Sequence, residues 1–199
     1  MDIVYYLYKN GKEEKVMKKG LLILGGLVGI VVLVSMIFLA YIGMFSDFKA
    51  EMKDMGPYTF VYEKHVGPYS ETKKVFDRVD KKLVKAGIRA ERGFGIYYDN
   101  PADVAASKLR SECGSLIEGE NIEKFKKVKD DFNVKIVPRS KSIVVAFPIK
   151  NAMSYMFGPM KCYPILNKVV KEKKLKVNHA AYELYDMKKK VTYFVMPVK

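Results

Sequence analysis

The sequence predicts an α+β protein, an N-terminal single transmembrane helix followed by one water-soluble domain of two pseudo-symmetric strand–helix–strand–strand (βαββ) repeats. Three observations predict it. Leu21 to Phe45 contains no charged residue. Beyond it, stretches with an apolar period of two alternate with stretches whose apolar residues recur at helical spacing. The order of those stretches then recurs within the chain.

A helix over residues 21–45 rises about 1.5 Å per residue and exceeds the roughly 30 Å hydrocarbon core, so it spans with some tilt. A cleaved signal peptide, starting at Met17 with Lys18 and Lys19, is the rival reading. The apolar run is too long for it, and Leu39-Ala40-Tyr41-Ile42 offers no small-x-small cleavage site. The segment is therefore read as an uncleaved anchor in the lipid bilayer. Lys9, Lys12, Lys15, Lys18 and Lys19 precede it, against Lys49, Lys53 and Lys64 after it. By the positive-inside rule this places the N-terminus in the cytoplasm and the domain on the other side, a bias that weakens if translation starts at Met17. Residues 1–20 are then a basic lead, 46–57 a polar linker and 58–199 the domain.

Within the domain, Thr59–Val66 alternates as a strand does, and Gly67-Pro68 ends it. Ser70 is placed to cap a helix whose apolar face is Val75, Phe76, Val79, Leu83 and Ala86, ending at Gly87. Strands follow over Phe94–Asp99, with Phe94, Ile96 and Tyr98 on one face, and over Leu109–Ile117, separated by an Asn100-Pro101 turn. Ile122–Asp131 reads as a polar helix. Ile143–Ile149 is a strand, Ile165–Lys174 the core of a helix, and Ala180–Asp186 with Val191–Pro197 a hairpin across Lys188–Lys190.

Phe76-Asp77-Arg78-Val79 aligns with Leu166-Asn167-Lys168-Val169 at an offset of 90, and Tyr98-Asp99 with Tyr185-Asp186 at an offset of 87. These matches predict repeats over about 58–118 and 140–198, with a cleft along their junction of the kind that holds ligands.

The net charge of +14 raises the question of nucleic acid. The lysines fall mainly in 124–129, 168–176 and 188–190, and aromatic residues do not interleave with them as in single-strand binders. They read as solvated helix faces and a turn, so no nucleic-acid partner is expected; anionic lipid headgroups suit them better. Cys113 and Cys162 are too few for a metal site or redox motif, and whether they pair is open. His65 and His179 stand apart from each other and from other ligating residues. A lone strand histidine is satisfied by packing or a surface hydrogen bond more often than by haem, so no cofactor is expected.

Three motifs resemble the GyrI-like family, effector-binding domains of duplicated βαββ fold: Val66-Gly67-Pro68-Tyr69; Gly95-Ile96-Tyr97-Tyr98-Asp99-Asn100-Pro101; and Tyr182-Glu183-Leu184-Tyr185 with the closing Phe194-Val195-Met196-Pro197-Val198. The resemblance covers roughly Tyr58 to Val198 and is greatest to a membrane-anchored branch that includes an ER-phagy receptor. Because the sequence stops at Lys199 without that receptor's acidic tail, an autophagy role is not expected to carry over. Without a helix-turn-helix ahead of the domain, direct action as a transcription factor is disfavoured as well.

The resemblance implies a central pocket for small amphipathic ligands, cationic ones included, with Glu183 at the family's pocket-glutamate position. A carboxylate among aromatic rings loses hydration and regains energy when a cation arrives, and ring faces add about 0.5 to 2 kcal/mol of cation–π attraction. Alternation puts Ala181, Glu183 and Tyr185 on one face. By the repeat, Ile96 and Tyr98 are expected on the matching face, with Tyr69, Phe147 and Tyr155 at the rim or wall. The plainer alternative is a solvent-exposed strand glutamate beside tyrosines that only pack.

A second class is hydrolysis of cyclopropane-type electrophiles, as the resemblance to ring-opening hydrolases of this fold implies, with Glu183 and Tyr98 or Tyr185 as the acid–base pair. No nucleophile elbow, metal-ligand spacing or phosphate loop accompanies it. A third is an anchored adaptor that meets an unidentified protein through an exposed edge or basic face.

Overall fold

The computed structural model describes residues 2–41, 43, 45–178 and 180–199, with side chains from Lys15 onward. The chain divides into two compact units, one ending at Ser46 and the other spanning Asp47–Lys199.

The first unit is a helix, α1, Asp2–Tyr41. It starts well before the predicted residue 21, because the basic lead holds no proline and only two glycines, Gly11 and Gly20, to weaken a helix. Lys15–Tyr41 has a mean hydropathy of 2.9 over its most apolar window, and its leucines, isoleucines and valines are exposed in the chain by itself. Such a helix is long and apolar enough to cross a bilayer. It ends four residues before Phe45, in a turn where the Gly43 amide donates to the Ala40 carbonyl. Ile42 and Met44 of the predicted span lie outside the described residues.

The second unit is one eight-stranded antiparallel sheet with helices. Its strands are β1 (Ala50–Met55), β2 (Tyr58–Val66), β3 (Arg92–Tyr97), β4 (Arg110–Ile117), β5 (Asn133–Val137), β6 (Ser140–Pro148), β7 (Ala181–Asp186) and β8 (Val191–Pro197). The helices are α2 (Thr72–Lys85), α3 (Asn121–Lys126) and α4 (Ser154–Glu172). Strand–helix–strand–strand thus occurs twice, as β2-α2-β3-β4 and as β6-α4-β7-β8. The sheet order β1-β6-β8-β7-β3-β4-β2-β5 joins these two βαββ segments where β3 pairs with β7.

Several boundaries differ from the sequence expectation. The expected linker contains β1, whose alternation Ala50, Met52 pairs it with β6. The predicted polar helix over 122–131 is the six-residue α3 and a short 3-10 turn at Lys129–Asp131, followed by the unpredicted strand β5. Helix α4 begins eleven residues before Ile165 and contains Pro159 and Pro164. Proline normally ends a helix; here packing of Gly158, Cys162 and Leu166 against β6 and β8 offsets the lost hydrogen bonds. Ser70 caps nothing: it lies within a 3-10 turn, Tyr69–Glu71, and Thr72 instead donates to the Tyr69 carbonyl at 2.8 Å.

Both long helices lie on one face of the sheet. α2 buries Val75, Val79 and Leu83, packing with Val61, Ile88 and Ile117. α4 covers Ile143, Val145, Phe147 and Phe194. Among the described residues of this unit, no helix packs on the other face. Phe60, Phe94, Ile96, Leu116, Val144, Tyr182, Leu184 and Val195 form a core there, with Met55, Tyr58 and Val137 against it, so the sheet curls on its own apolar side chains. Each fully buried Phe or Leu contributes about 1.5–3 kcal/mol of apolar burial.

Candidate functional site

The register places Glu183 at the centre of the helix-bearing face. Reading across the strands, one row of paired residues runs Ala50, Val145, Phe194, Glu183, Gly95, Cys113, Glu63. Gly95, directly opposite Glu183, has no side chain, and neither has Gly93, opposite Tyr185. A methyl group built on Gly95 would meet the Tyr97 ring at 3.0 Å, and one on Gly93 the Tyr185 ring at 3.4 Å. These two glycines are the floor on which the tyrosine rings lie.

Glu183 is 5% exposed. Tyr185 donates to Oε2 at 2.6 Å and Tyr163, from α4, donates to Oε1 at 3.0 Å. The Tyr97 and Tyr185 hydroxyls are 2.8 Å apart. Four groups therefore form one chain: Tyr97, Tyr185, Glu183, Tyr163. Around it, the Tyr69 ring meets Tyr97 edge-on at 4.9 Å, Phe76 of α2 meets Tyr185 edge-on at 5.4 Å, and Tyr155 of α4 lies 5.9 Å from Tyr185. The rings of Tyr97, Tyr163 and Tyr185 are half-buried and Tyr155 is exposed, so the cluster reaches solvent between the two helices.

Burial pushes the Glu183 carboxyl up to about 7, and the hydrogen bonds from Tyr185 and Tyr163 pull it back only in part. Among the described residues no cation contributes to its titration. Desolvation, reinforced by the neighbouring Glu183, raises the phenols of Tyr97, Tyr163 and Tyr185 well above their ordinary range. The site is thus a carboxyl poised near neutrality, held by phenols that stay protonated.

The sequence-predicted site residues divide. Glu183, Tyr185, Tyr69 and Tyr155 come together. Ile96 and Tyr98 do not. Ile96 pairs with Tyr182 and is buried on the opposite face, and Tyr98 lies past the end of β3, donating to Glu112 at 2.8 Å with Lys135 on the same hydroxyl at 3.0 Å. The offset of 87 used to align the repeats is odd, and one residue of slip moves a strand side chain to the other face. An offset of 88 brings Tyr97, not Tyr98, onto Tyr185. Phe147 is on the correct face but fully buried beneath α4, 4.9 Å from Phe48. Tyr163 and Phe76 went unrecognised. The alternation of Gly93 and Gly95 is the signal that would have located the floor and, two residues on, Tyr97.

Cys113 and Cys162 are free and buried, and desolvation raises both thiols to about 12. In the tautomer protonated at Nε2, His65 donates one hydrogen bond to the Pro68 carbonyl at 3.2 Å. His179 lies outside the described residues. A recess of about 810 Å³ between the end of α2 and the β4–α3 turn, lined in part by Val84, Arg89 and Lys124, is separate from the tyrosine cluster.

Residues 48–158 match the GyrI-like family, described as a GyrI-like small molecule binding domain. Over 166 residues the chain is 29% identical to testis-expressed protein 264 of Homo sapiens, covering 77% of this chain and 50% of that protein. Over 149 residues it is 30% identical to the homolog of that protein in Mus musculus, covering 70% of this chain and 45% of that one. The chain thus spans about half the length of the curated relatives it matches. Among solved structures it is similar to the EcmrR C-terminal domain, with a TM-score of 0.56 at 15% identity, over 76% of this chain and 98% of that one. That likeness is one of fold.

Proposed function

We propose, from the premise that this chain belongs to the GyrI-like family of small-molecule-binding domains, that it binds small amphipathic cations in the tyrosine cluster over Glu183, close to a bilayer crossed by its N-terminal helix. One observation carries the reading: a carboxyl 5% exposed whose hydrogen-bond partners among the described residues are two neutral phenols. Burying such a group without a cation is costly, and a cationic ligand recovers part of that cost. The phenols hold the carboxylate in this state. Binding therefore adds an ion contact to a carboxylate that already accepts from Tyr185 and Tyr163, while the faces of Tyr69, Tyr97, Tyr155 and Tyr185 accept a flat apolar body.

Thermal-shift measurement of the full chain in detergent against a panel of flat cationic dyes tests this. Stabilisation that disappears in Glu183→Gln is expected; equal stabilisation of both forms overturns the charge-based mechanism.

A carboxyl near 7 hydrogen-bonded to tyrosines also suits a general base, which supports hydrolysis of a cyclopropane-type electrophile as a second reading. Following such alkylators by mass spectrometry separates the two: ring-opened product above buffer, lost in Glu183→Gln, is expected of an enzyme and not of a binding domain.

A further inference from the structure

The two edges of the sheet are protected unequally. β1, at one edge, exposes Glu51, Lys53 and Asp54, charges of the kind that keep an edge from pairing with another chain. β5, at the other, pairs only with β2 and exposes Val134 (39%) and Ile136 (62%) on one face. Among the described residues no strand lies beside its outward N–H and C=O groups.

β5 is also a firm template. Lys135, between Val134 and Ile136, points to the opposite face, where it forms an ion pair with the buried Glu112 and lies 5.1 Å from the centre of the Tyr62 ring. Beside the apolar face a recess of about 530 Å³ opens, lined by Thr59, Phe125, Phe132 and Val134 with Lys126, Lys129 and Asp130. Lys82 caps the Phe132 ring at 4.5 Å. An edge strand, two exposed apolar residues in step and an aromatic recess alongside form the set of features that strand addition uses: main-chain hydrogen bonds for affinity and a pocket for every second side chain.

We infer that β5 receives an extended segment of a partner protein as an added strand, with apolar residues at alternate positions and acidic residues between them. The apolar residues lie over Val134 and Ile136, and one enters the Phe125–Phe132 recess. Charge decides between an acidic segment and a second copy of this chain. At +14, copies repel each other, whereas an acidic segment gains from the lysines at 124, 127 and 129. This surface is independent of the Glu183 cluster.

Two fluorescein-labelled peptides of equal length and charge, one alternating valine with glutamate and one with proline in place of every second valine, are titrated against the full chain in neutral detergent. Saturable binding of the first and none of the second is expected, together with slowed amide exchange confined to residues 133–137. Val134→Ser with Ile136→Ser, both surface positions and neutral in charge, is expected to weaken binding at least about tenfold, equivalent to about 1.4 kcal/mol, with dye binding at Glu183 unchanged. Equal binding of both peptides, insensitivity to the double substitution, or no binding up to about 1 mM overturns the inference. So does recovery of the surface by anionic vesicles with the peptide excluded, or a concentration-dependent dimer that Ile136→Lys abolishes.

Discussion

The Tyr185 hydroxyl lies 2.6 Å from the Glu183 carboxylate two residues earlier on the same strand. Adjacent same-face positions on a strand bring the two side chains together, and the bare backbone of Gly93 and Gly95 opposite lets the Tyr185 and Tyr97 rings lie down over the carboxyl. Proton state, stability and ligand capture are therefore coupled at one point in the sheet.

Affinity for a cationic dye is expected to depend on pH. A cation selects the ionised carboxyl, so binding releases a proton, and affinity falls as pH drops through about 7. Below that, each further pH unit costs up to about tenfold. Isothermal titration between pH 5.5 and 8.5 reads this directly, and a flat profile in Glu183→Gln assigns it.

Stability moves in the opposite sense. The folded Glu183 carboxyl titrates at about 7, above its ordinary value of 4.5, so the folded state holds more protons than the unfolded one between those limits. Stability is then fully present below about 4.5 and declines as pH rises toward 7, by at most about 3 kcal/mol for this group. In denaturant unfolding at pH 8, Glu183→Gln is expected to be more stable than the unchanged chain, and at pH 4.5 the difference should vanish.

Two glycines separate the site from the core. In Gly95→Ala the nearest neighbour of the new methyl is the Tyr97 side chain, at 3.0 Å, which is able to swing away. Stability should change by less than about 1 kcal/mol, while dye affinity falls because the Tyr97–Tyr185 hydrogen bond is broken. Gly158→Ala places its methyl 2.8 Å from the Phe194 ring and 3.5 Å from Phe147, both fully buried. Overpacking there is expected to cost about 1–3 kcal/mol. Melting curves and dye titrations of the two variants should show these opposite patterns.

The N-terminal helix is expected to hold the chain in membranes through an alkaline carbonate wash. Replacing Val28 and Val32, one turn apart near the middle of the apolar stretch, with arginine adds about 2.5–3.5 kcal/mol each at mid-bilayer. Release of that variant into the supernatant checks the assignment.

How much of this was legible beforehand follows from the range of the interaction involved. The apolar helix, β2, α2, β4 and the β7–β8 hairpin are local patterns: their side-chain period and turn residues are written in contiguous residues. So is the face shared by Glu183 and Tyr185. β1 and β5 were missed because short edge strands carry a weak period and owe their form to the neighbours they pair with. The start of α4 was missed because local chemistry, two prolines, was overruled by burial against β6 and β8.

By itself the sequence determined the apolar helix, the twofold βαββ order and the place of Glu183 on a strand face shared with Tyr185. Only the tertiary structure decided what surrounds that carboxyl. The pairing of β3 with β7 sets Gly95, not Ile96, against Glu183, and a register of one residue decides which of Tyr97 and Tyr98 reaches it. Register is a property of two strands distant in the chain, held by the core on both faces at once; neither strand carries it alone.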